Sequence, residues 1–421
     1  VRVFRGAGVL TVATFIANIS NYAFQVVLGR TLGPEDYGLL SGAFTFVALF
    51  GTSASSLQAA LAKSEARRGG DDELARRLNL KAALNEPVTR WVLIGSTCLA
   101  LALVVASPLL NGLLNVEDST AIAVAAILPG TALASVAFGR MQGTRRFNAF
   151  ALLAVVMAVG KLVGGVVAGV AGFSVPVILL LLALTTTAAA LVGAWYTSDS
   201  PSVSPRAVLH DSARALIALT FFWLVISVDV PLARHWLPEA AAGRYAAASL
   251  IGRAVLWLPA VIAVVVYPQM ARLNESTEDA RSLVIKSCIA TSGICVAACV
   301  GLFVTSPLIF SVLFGSGYEQ AATLAWQLGL VSLPLAVANV LVYFLLSRQG
   351  WWWMPAVVVP LALEVGWLWL AHGSSSDFVL ASLASAAVMM VLLGGAVAWT
   401  LRSDGPPSGS SRLEGAEEPH S

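Results

Sequence analysis

Twelve apolar stretches, each long enough to cross a lipid bilayer as a helix, follow one another along the chain with short polar joints between them. They fall at about 8–28, 39–62, 91–110, 120–139, 149–170, 175–195, 214–233, 243–268, 288–306, 320–346, 354–371 and 377–401. One span takes roughly 20 residues. The 421-residue chain is 58% apolar and 11% charged, against roughly 25% charged in an ordinary soluble domain. So few charges cannot cover a water-facing surface of this size. Composition therefore excludes a soluble enzyme, a nucleic-acid-binding protein and a disordered chain. What remains is an all-α polytopic membrane protein.

Lysine and arginine orient such a chain, because they are retained on the cytoplasmic side. With the N-terminus inside, twenty of the 25 basic residues fall on the cytoplasmic side and three, Arg30, Arg234 and Arg244, fall outside. Lys161 and Arg253 lie within spans. One missed helix would scramble this bias, so it supports twelve spans with both termini cytoplasmic. The first apolar segment runs on into others without a small-residue cleavage site, so no cleavable signal peptide is expected. The longest cytoplasmic joint, Lys63 to Arg90, carries Asp71-Asp72-Glu73 and then basic residues. It reads as a capped, amphipathic turn or two on the anionic inner leaflet. Trp351-Trp352-Trp353 reads as an interfacial anchor, and the tail at 403–421 reads as disordered.

Internal repeats divide the chain further. Leu28-Gly-Arg30-Thr-Leu-Gly-Pro34-Glu35 matches Leu232-Ala-Arg234-His-Trp-Leu-Pro238-Glu239 at an offset of 204. Ser107-Pro108-Leu109 matches Ser306-Pro307-Leu308 at an offset of 199, Pro129 matches Pro334 at 205, and Gln142-Gly143 matches Gln349-Gly350 at 207. Four matches in order indicate a duplicated six-span unit. Six spans return the chain to its starting side, so the copies are parallel and related by an axis along the membrane normal. The expected organisation is an N-terminal six-helix bundle at 1–197, a cytoplasmic linker at 198–212, a C-terminal six-helix bundle at 213–402 and the tail, with a central cavity between the bundles.

The run Gly29-Arg-Thr-Leu-Gly-Pro-Glu-Asp-Tyr-Gly38 resembles the first periplasmic loop of bacterial oligosaccharide and polysaccharide flippases. Gly139-Arg-Met-Gln-Gly-Thr-Arg-Arg-Phe147, Asp229-Val-Pro-Leu-Ala-Arg, Gly243-Arg-Tyr-Ala-Ala-Ala-Ser and Tyr267-Pro268 are similar to the same families. These belong to the multidrug/oligosaccharidyl-lipid/polysaccharide exporter superfamily, and the resemblance covers roughly residues 5–400. It implies transfer of an undecaprenyl-pyrophosphate-linked glycan from the inner to the outer leaflet of the cytoplasmic membrane. Membrane lipids, and glycosyltransferases and a polymerase of the same pathway, are the implied partners. The related peptidoglycan-precursor flippases carry two further C-terminal spans beyond the twelve read here, which weighs toward an oligosaccharide rather than lipid II.

The first span carries Thr11, Thr14, Asn18, Asn21 and Gln25 at spacings of 3, 4, 3 and 4, one polar stripe along a helix. Interhelical hydrogen bonding is one reading. A hydrated, sugar-facing wall is the other, because buried amides need several partners each. Lys161, Asp229, Arg253 and Glu364 are ionisable residues within spans, and a charge at the bilayer centre costs at least about 2.5–3.5 kcal/mol. Two readings of them stand. They form structural pairs, Asp229 with Arg253 and Lys161 with Glu364, or Lys161 and Arg253 face a pyrophosphate. Arg30, Pro34, Glu35, Arg234, Pro238 and Glu239 belong to the repeated loop motif, and their two arginines read as topological.

The scattered histidines and the intramembrane cysteines offer no metal spacing, and no cofactor is expected. A P-loop and a nucleophile elbow are absent from the sequence, so the chain reads as a transporter rather than an enzyme. Two alternatives are carried. One is a multidrug/cation antiporter with Asp229 and Glu364 binding H+ or Na+; the other is a membrane scaffold for glycan assembly. The topology is testable directly. Cysteines at Glu117, Ala171, Ala240 and Ser374 should react with an impermeant maleimide in intact cells, and those at Gly70, Gly143 and Asp279 only after lysis. Labelling of Gly143 from outside would refute twelve spans.

Overall fold

The computed structural model describes residues 2–68, 79–114, 118–198, 205–259, 277–348 and 350–403. In lipid every backbone N–H and C=O must be satisfied within the chain, and the described residues are accordingly helical with short joints. The helices are α1 (Arg2–Arg68), α2 (Leu80–Asn85), α3 (Pro87–Val105), α4 (Ser107–Leu114), α5 (Asp118–Gly143), α6 (Phe147–Val170), α7 (Val175–Tyr196) and α8 (Pro205–Ser227). They continue as α9 (Asp229–Trp236), α10 (Glu239–Gly252), α11 (Ala254–Trp257), α12 (Thr277–Leu313), α13 (Glu319–Ser347), α14 (Pro355–Leu370) and α15 (Ser375–Ser403). The Asp71-Asp72-Glu73 run, Tyr267-Pro268 and residues 404–421 lie outside the described residues.

Among the described residues, nine helical segments are long and apolar enough to cross a bilayer. One of them, Val12–Ala62, has 51 residues and would be roughly 75 Å long if straight. It bends at Gly33, whose φ of 75° and ψ of 176° are not helical. Only glycine enters this region without strain, and Pro34 then opens the second limb, where a missing N–H costs nothing. The limbs fold side by side, since Phe24 and Phe44, nearly equidistant from the bend, meet edge to face at 5.6 Å. Counting α1 as two spans, α10–α11 as one and the shorter apolar α14 as another gives twelve.

The helix ends segregate as the charge pattern requires. At one end, Tyr318 Oη donates to the Gly29 carbonyl at 2.8 Å and Arg30 Nη1 to that of Val312 at 3.0 Å. Trp236 stacks on His372 at 4.8 Å there. At the other end, the Asn79 N–H donates to Ser198 Oγ at 2.9 Å, Arg146 to the Tyr196 carbonyl at 3.1 Å, and Arg214 to that of Leu346 at 3.4 Å. Every one of these contacts joins joints expected on the same side.

The duplication is visible in packing. The most enclosed helices are α5 and α13, with 72% and 78% of their spans buried, and these carry the matching Pro129 and Pro334. Each is the central helix of its half. In α5, Gly139 and Gly143 let the backbone of α1 approach, for a Cβ on either would stand 2.8 Å from the Gln58 or Ala62 carbonyl oxygen. Small residues four apart are the usual device for close helix contact in membranes. In the second half Gly252 packs against the backbone of Ala325, and Ser332 Oγ donates to the Gly252 carbonyl at 3.2 Å.

Three local readings change. Helix α8 begins at Pro205, inside the stretch expected to be linker, because proline is a favoured first helical residue. Trp351 and Trp352 are exposed as expected of interfacial anchors, but Trp353 is in the core. The seventh and eighth spans, expected to be continuous, are interrupted at Val228 and Arg253.

The two halves touch where the repeated loops lie. The Pro34 backbone packs directly on Gly243, and a Cβ on Gly38 would stand 3.0 Å from the Gly243 nitrogen. Gly243→Val should therefore force the ends apart. Spin labels at Asp36 and Glu239, both exposed, should report a longer distance than in the parent protein. An unchanged distance would show that the contact is not a constraint.

Candidate functional site

The two interruptions position the main charged cluster. Pro231 lacks the N–H that would continue α8 through this point, so a new helix, α9, starts at Asp229. A helix N-terminus favours a carboxylate, and the Val230 N–H donates to Asp229 Oδ1 at 2.9 Å. Arg253 caps the C-terminus of α10, where a cation is favoured. Its Nη2 donates to Asp229 Oδ1 at 2.6 Å and Oδ2 at 2.5 Å. The Tyr245 hydroxyl donates to Asp229 as well. Sequence reasoning missed both interruptions, although Pro231 was a signal for the first.

Glu364 of α14 joins this cluster through hydroxyls. Ser382 Oγ donates to its Oε1 at 2.8 Å and Ser385 Oγ to its Oε2 at 2.9 Å, and Ser382 also lies 3.5 Å from Asp229 Oδ2. Both carboxylates are 0% exposed, and the Arg253 side chain is 14% exposed. The serines, one turn apart on α15, were not foreseen; only their spacing of three could have suggested a shared partner.

Lys161 of α6 stands elsewhere. Its Nζ donates to Asn21 Oδ1 at 3.2 Å and lies 4.5 and 4.7 Å from the ring centroids of Phe24 and Phe44. These are neutral partners, and among the described residues Lys161 has no ion pair. The expected Lys161–Glu364 pair is thus not formed. Each group is satisfied within its own half, by amide and aromatic faces in one case and by serines in the other. Of the polar stripe, Thr14 and Asn18 are exposed and Asn21 and Gln25 half-buried, with Gln25 Oε1 lacking a partner; the Thr11 side chain lies outside the described residues.

In the loop motif the two copies diverge. Arg234 pairs within its own copy, with Glu239 at 2.7 Å, while Arg30 reaches the Val312 carbonyl of the other half. Pro34 packs on Gly243, Glu35 is exposed, and Pro238 caps α10.

A further ion cluster was missed. Arg140, expected in a cytoplasmic joint, is 1% exposed in the last turn of α5, with Nη2 at 2.6 Å from Glu86 and Nε at 4.0 Å from Glu65. The close approach of α1 at Gly139 and Gly143 encloses it, a tertiary effect that a charge count cannot register.

Removing one partner of a buried ion pair leaves an uncompensated charge and typically costs about 3–5 kcal/mol. Arg253→Ala should accordingly lower the melting temperature of the purified protein markedly, and Asp229→Asn combined with Arg253→Gln should recover most of the loss. Equal melting of the parent and the single variant would show that the pair does not stabilise the fold.

Comparisons with known proteins agree with this architecture. In fold, 92% of the chain aligns with 87% of the lipid II flippase MurJ in an inward closed conformation, at a TM-score of 0.70 and 12% identity. It similarly matches an inward-facing multidrug resistance MATE family transporter of the MOP superfamily, with a TM-score of 0.65, 14% identity and coverage of 92% and 96%. A Vibrio cholerae MATE transporter aligns at a TM-score of 0.59 and 17% identity over 95% and 98% of the two chains. No curated protein matches the sequence. Residues 3–274 match the model of one sequence family. With well over half the chain matched, this multi-pass membrane protein belongs to the polysaccharide biosynthesis protein family.

Proposed function

We propose that the protein is a flippase that carries an undecaprenyl-pyrophosphate-linked oligosaccharide from the inner to the outer leaflet of a bacterial cytoplasmic membrane, for cell-surface polysaccharide biosynthesis. Both termini are then cytoplasmic, and the halves at 1–197 and 213–402 rock about the linker to alternate access. Glycosyltransferases and a polymerase of the same pathway supply and consume the substrate.

The observation that carries this reading is Lys161. An ammonium at membrane depth is costly without a counter-ion, and among the described residues Lys161 meets Asn21 and two aromatic faces and no acid. An anionic ligand supplies the missing charge. A pyrophosphate cannot cross hydrocarbon unpaired, so it needs such a group on its path. Arg253, the other cation named from sequence, is already committed to Asp229. Asn18, Asn21 and Gln25 extend the polar wall beside Lys161 and offer hydrogen bonds to pyrophosphate or sugar.

Asp229 and Glu364 suit a different task. Their cluster sets two carboxylates against one guanidinium, and among the described residues Glu364 is hydrogen-bonded by serine hydroxyls. A proton or a sodium ion would complete the charge balance, which makes Glu364 the coupling candidate. A multidrug antiporter would use the same acid, but it would have no use for an uncompensated Lys161.

A charge-assisted hydrogen bond contributes about 1.5–3 kcal/mol. Lys161→Ala should therefore reduce glycan export about tenfold or more while the protein still inserts, and Lys161→Arg should retain much of it. The readout is undecaprenyl-linked glycan on the outer leaflet of a strain whose own gene is deleted. Normal export by Lys161→Ala would remove Lys161 from the path. Unchanged glycolipid with drug hypersensitivity in the deletion strain would favour the antiporter.

A further inference from the structure

Two tryptophans meet at the seam between the halves. Trp223 of α8 and Trp257 of α11 stack with ring centroids 5.0 Å apart and planes 27° from parallel. Trp223 lies three residues after Thr220, whose hydroxyl is 3.3 Å from Ser53 Oγ of the first half, and residues three apart share a helix face. On α10, Gly243 is the residue that touches Pro34 of the first half. Trp257 lies on α11, beyond the interruption at Arg253, and is tied to this region by its stack on Trp223. The stack therefore stands one helical turn from the Ser53–Thr220 contact between the halves.

Their depth is unusual for tryptophan. Counted from Trp236 and Glu239 at about 1.5 Å per residue, Trp223 and Arg253 lie roughly 20 Å from the outer helix ends. Asn21, counted from Gly33, lies at a similar depth of roughly 18 Å. Trp257 is one turn further in than Arg253. Membrane tryptophans gather at the interfaces, whereas Trp223 stands well below the outer helix ends, and Trp257, stacked on it, is 48% exposed. A large aromatic face left open close to the depth of Asn21 is suited to a ligand.

We infer that the Trp223–Trp257 stack is a sugar platform, on which the open face of Trp257 receives a ring of the lipid-linked glycan. The inference rests on the flippase reading and adds the place where the glycan is held. A sugar ring carries hydroxyls at its rim and C–H groups on its faces, and these C–H groups meet the negative face of the indole π system. Trp223 backs Trp257 and keeps its ring from turning away. Stacking reads no hydroxyl pattern, so the platform accepts sugars of different configuration while Asn18 and Asn21 offer hydrogen bonds at the rim.

The test uses the full-length protein in lipid nanodiscs and two probes. One is undecaprenyl pyrophosphate bearing an N-acetylhexosamine disaccharide; the other is bare undecaprenyl pyrophosphate. Trp257→Leu should weaken binding of the disaccharide lipid roughly two- to tenfold and leave the bare lipid unchanged, whereas Trp257→Phe should keep most of the affinity. Equal loss for both probes, or loss for neither, overturns the platform and leaves the flippase reading standing. Parent protein that binds neither probe overturns both. If Trp257→Leu fails to accumulate, Trp223→Leu makes the same comparison, with a selective loss for the disaccharide lipid expected and an equal or absent loss overturning the platform.

Discussion

Unpaired charge and unpaired backbone are the two things hydrocarbon does not tolerate, and this protein places them together. Breaking a helix frees N–H and C=O groups that lipid cannot satisfy. At the interruptions, Val228 and Arg253 keep helical φ/ψ and backbone hydrogen bonds, and charges of the right sign stand beside them, Asp229 at a helix start and Arg253 at a helix end. The pair is thus held by two helix termini and by each other. Tyr245 donates to Asp229, and Ser382 and Ser385 donate to Glu364 beside it. The second half is organised around this cluster, which joins α9, α10, α14 and α15.

The first half solves the same problem differently. Its central cation, Lys161, rests against an amide and two aromatic rings, partners that soften a positive charge without cancelling it. One half thus contains a neutralised arginine with an additional acid, and the other a lysine that has no ion pair among the described residues. Duplication supplied the scaffold, and divergence at equivalent depths made the halves chemically unlike. The same holds at the outer loops, where Arg234 pairs locally with Glu239 and Arg30 instead reaches across to Val312.

Close contact between the halves depends on residues without side chains. Gly243 lies against the Pro34 backbone, Gly38 faces Gly243, and Gly29 leaves room for Phe314. Aromatic packing of Tyr37 with Phe314 and Tyr318 surrounds this contact. Below it the seam carries the Ser53–Thr220 contact and the open tryptophan stack. A tight, glycine-lined contact thus lies at one end of the seam, and polar and aromatic contacts lie further in.

Hydropathy determined the span count, and the lysine and arginine pattern sorted the joints into two sets, because insertion into lipid is governed by composition over lengths of about twenty residues. The repeated Pro34-Glu35 and Pro238-Glu239 motifs disclosed the duplication for a similar reason: proline acts on its own backbone, whatever surrounds it. The Asp229–Arg253 pair was also legible, as two opposite charges that the membrane would force together. Tertiary structure alone decided the rest. It denied Lys161 the partner Glu364 and gave Glu364 the hydroxyls of Ser382 and Ser385. It also drew Arg140 out of an expected joint into a buried cluster with Glu65 and Glu86, and stacked Trp223 on Trp257. Which side chains meet depends on the rotation and crossing of whole helices, and that is set by many small packing contacts summed across the bundle, none of which is local in sequence.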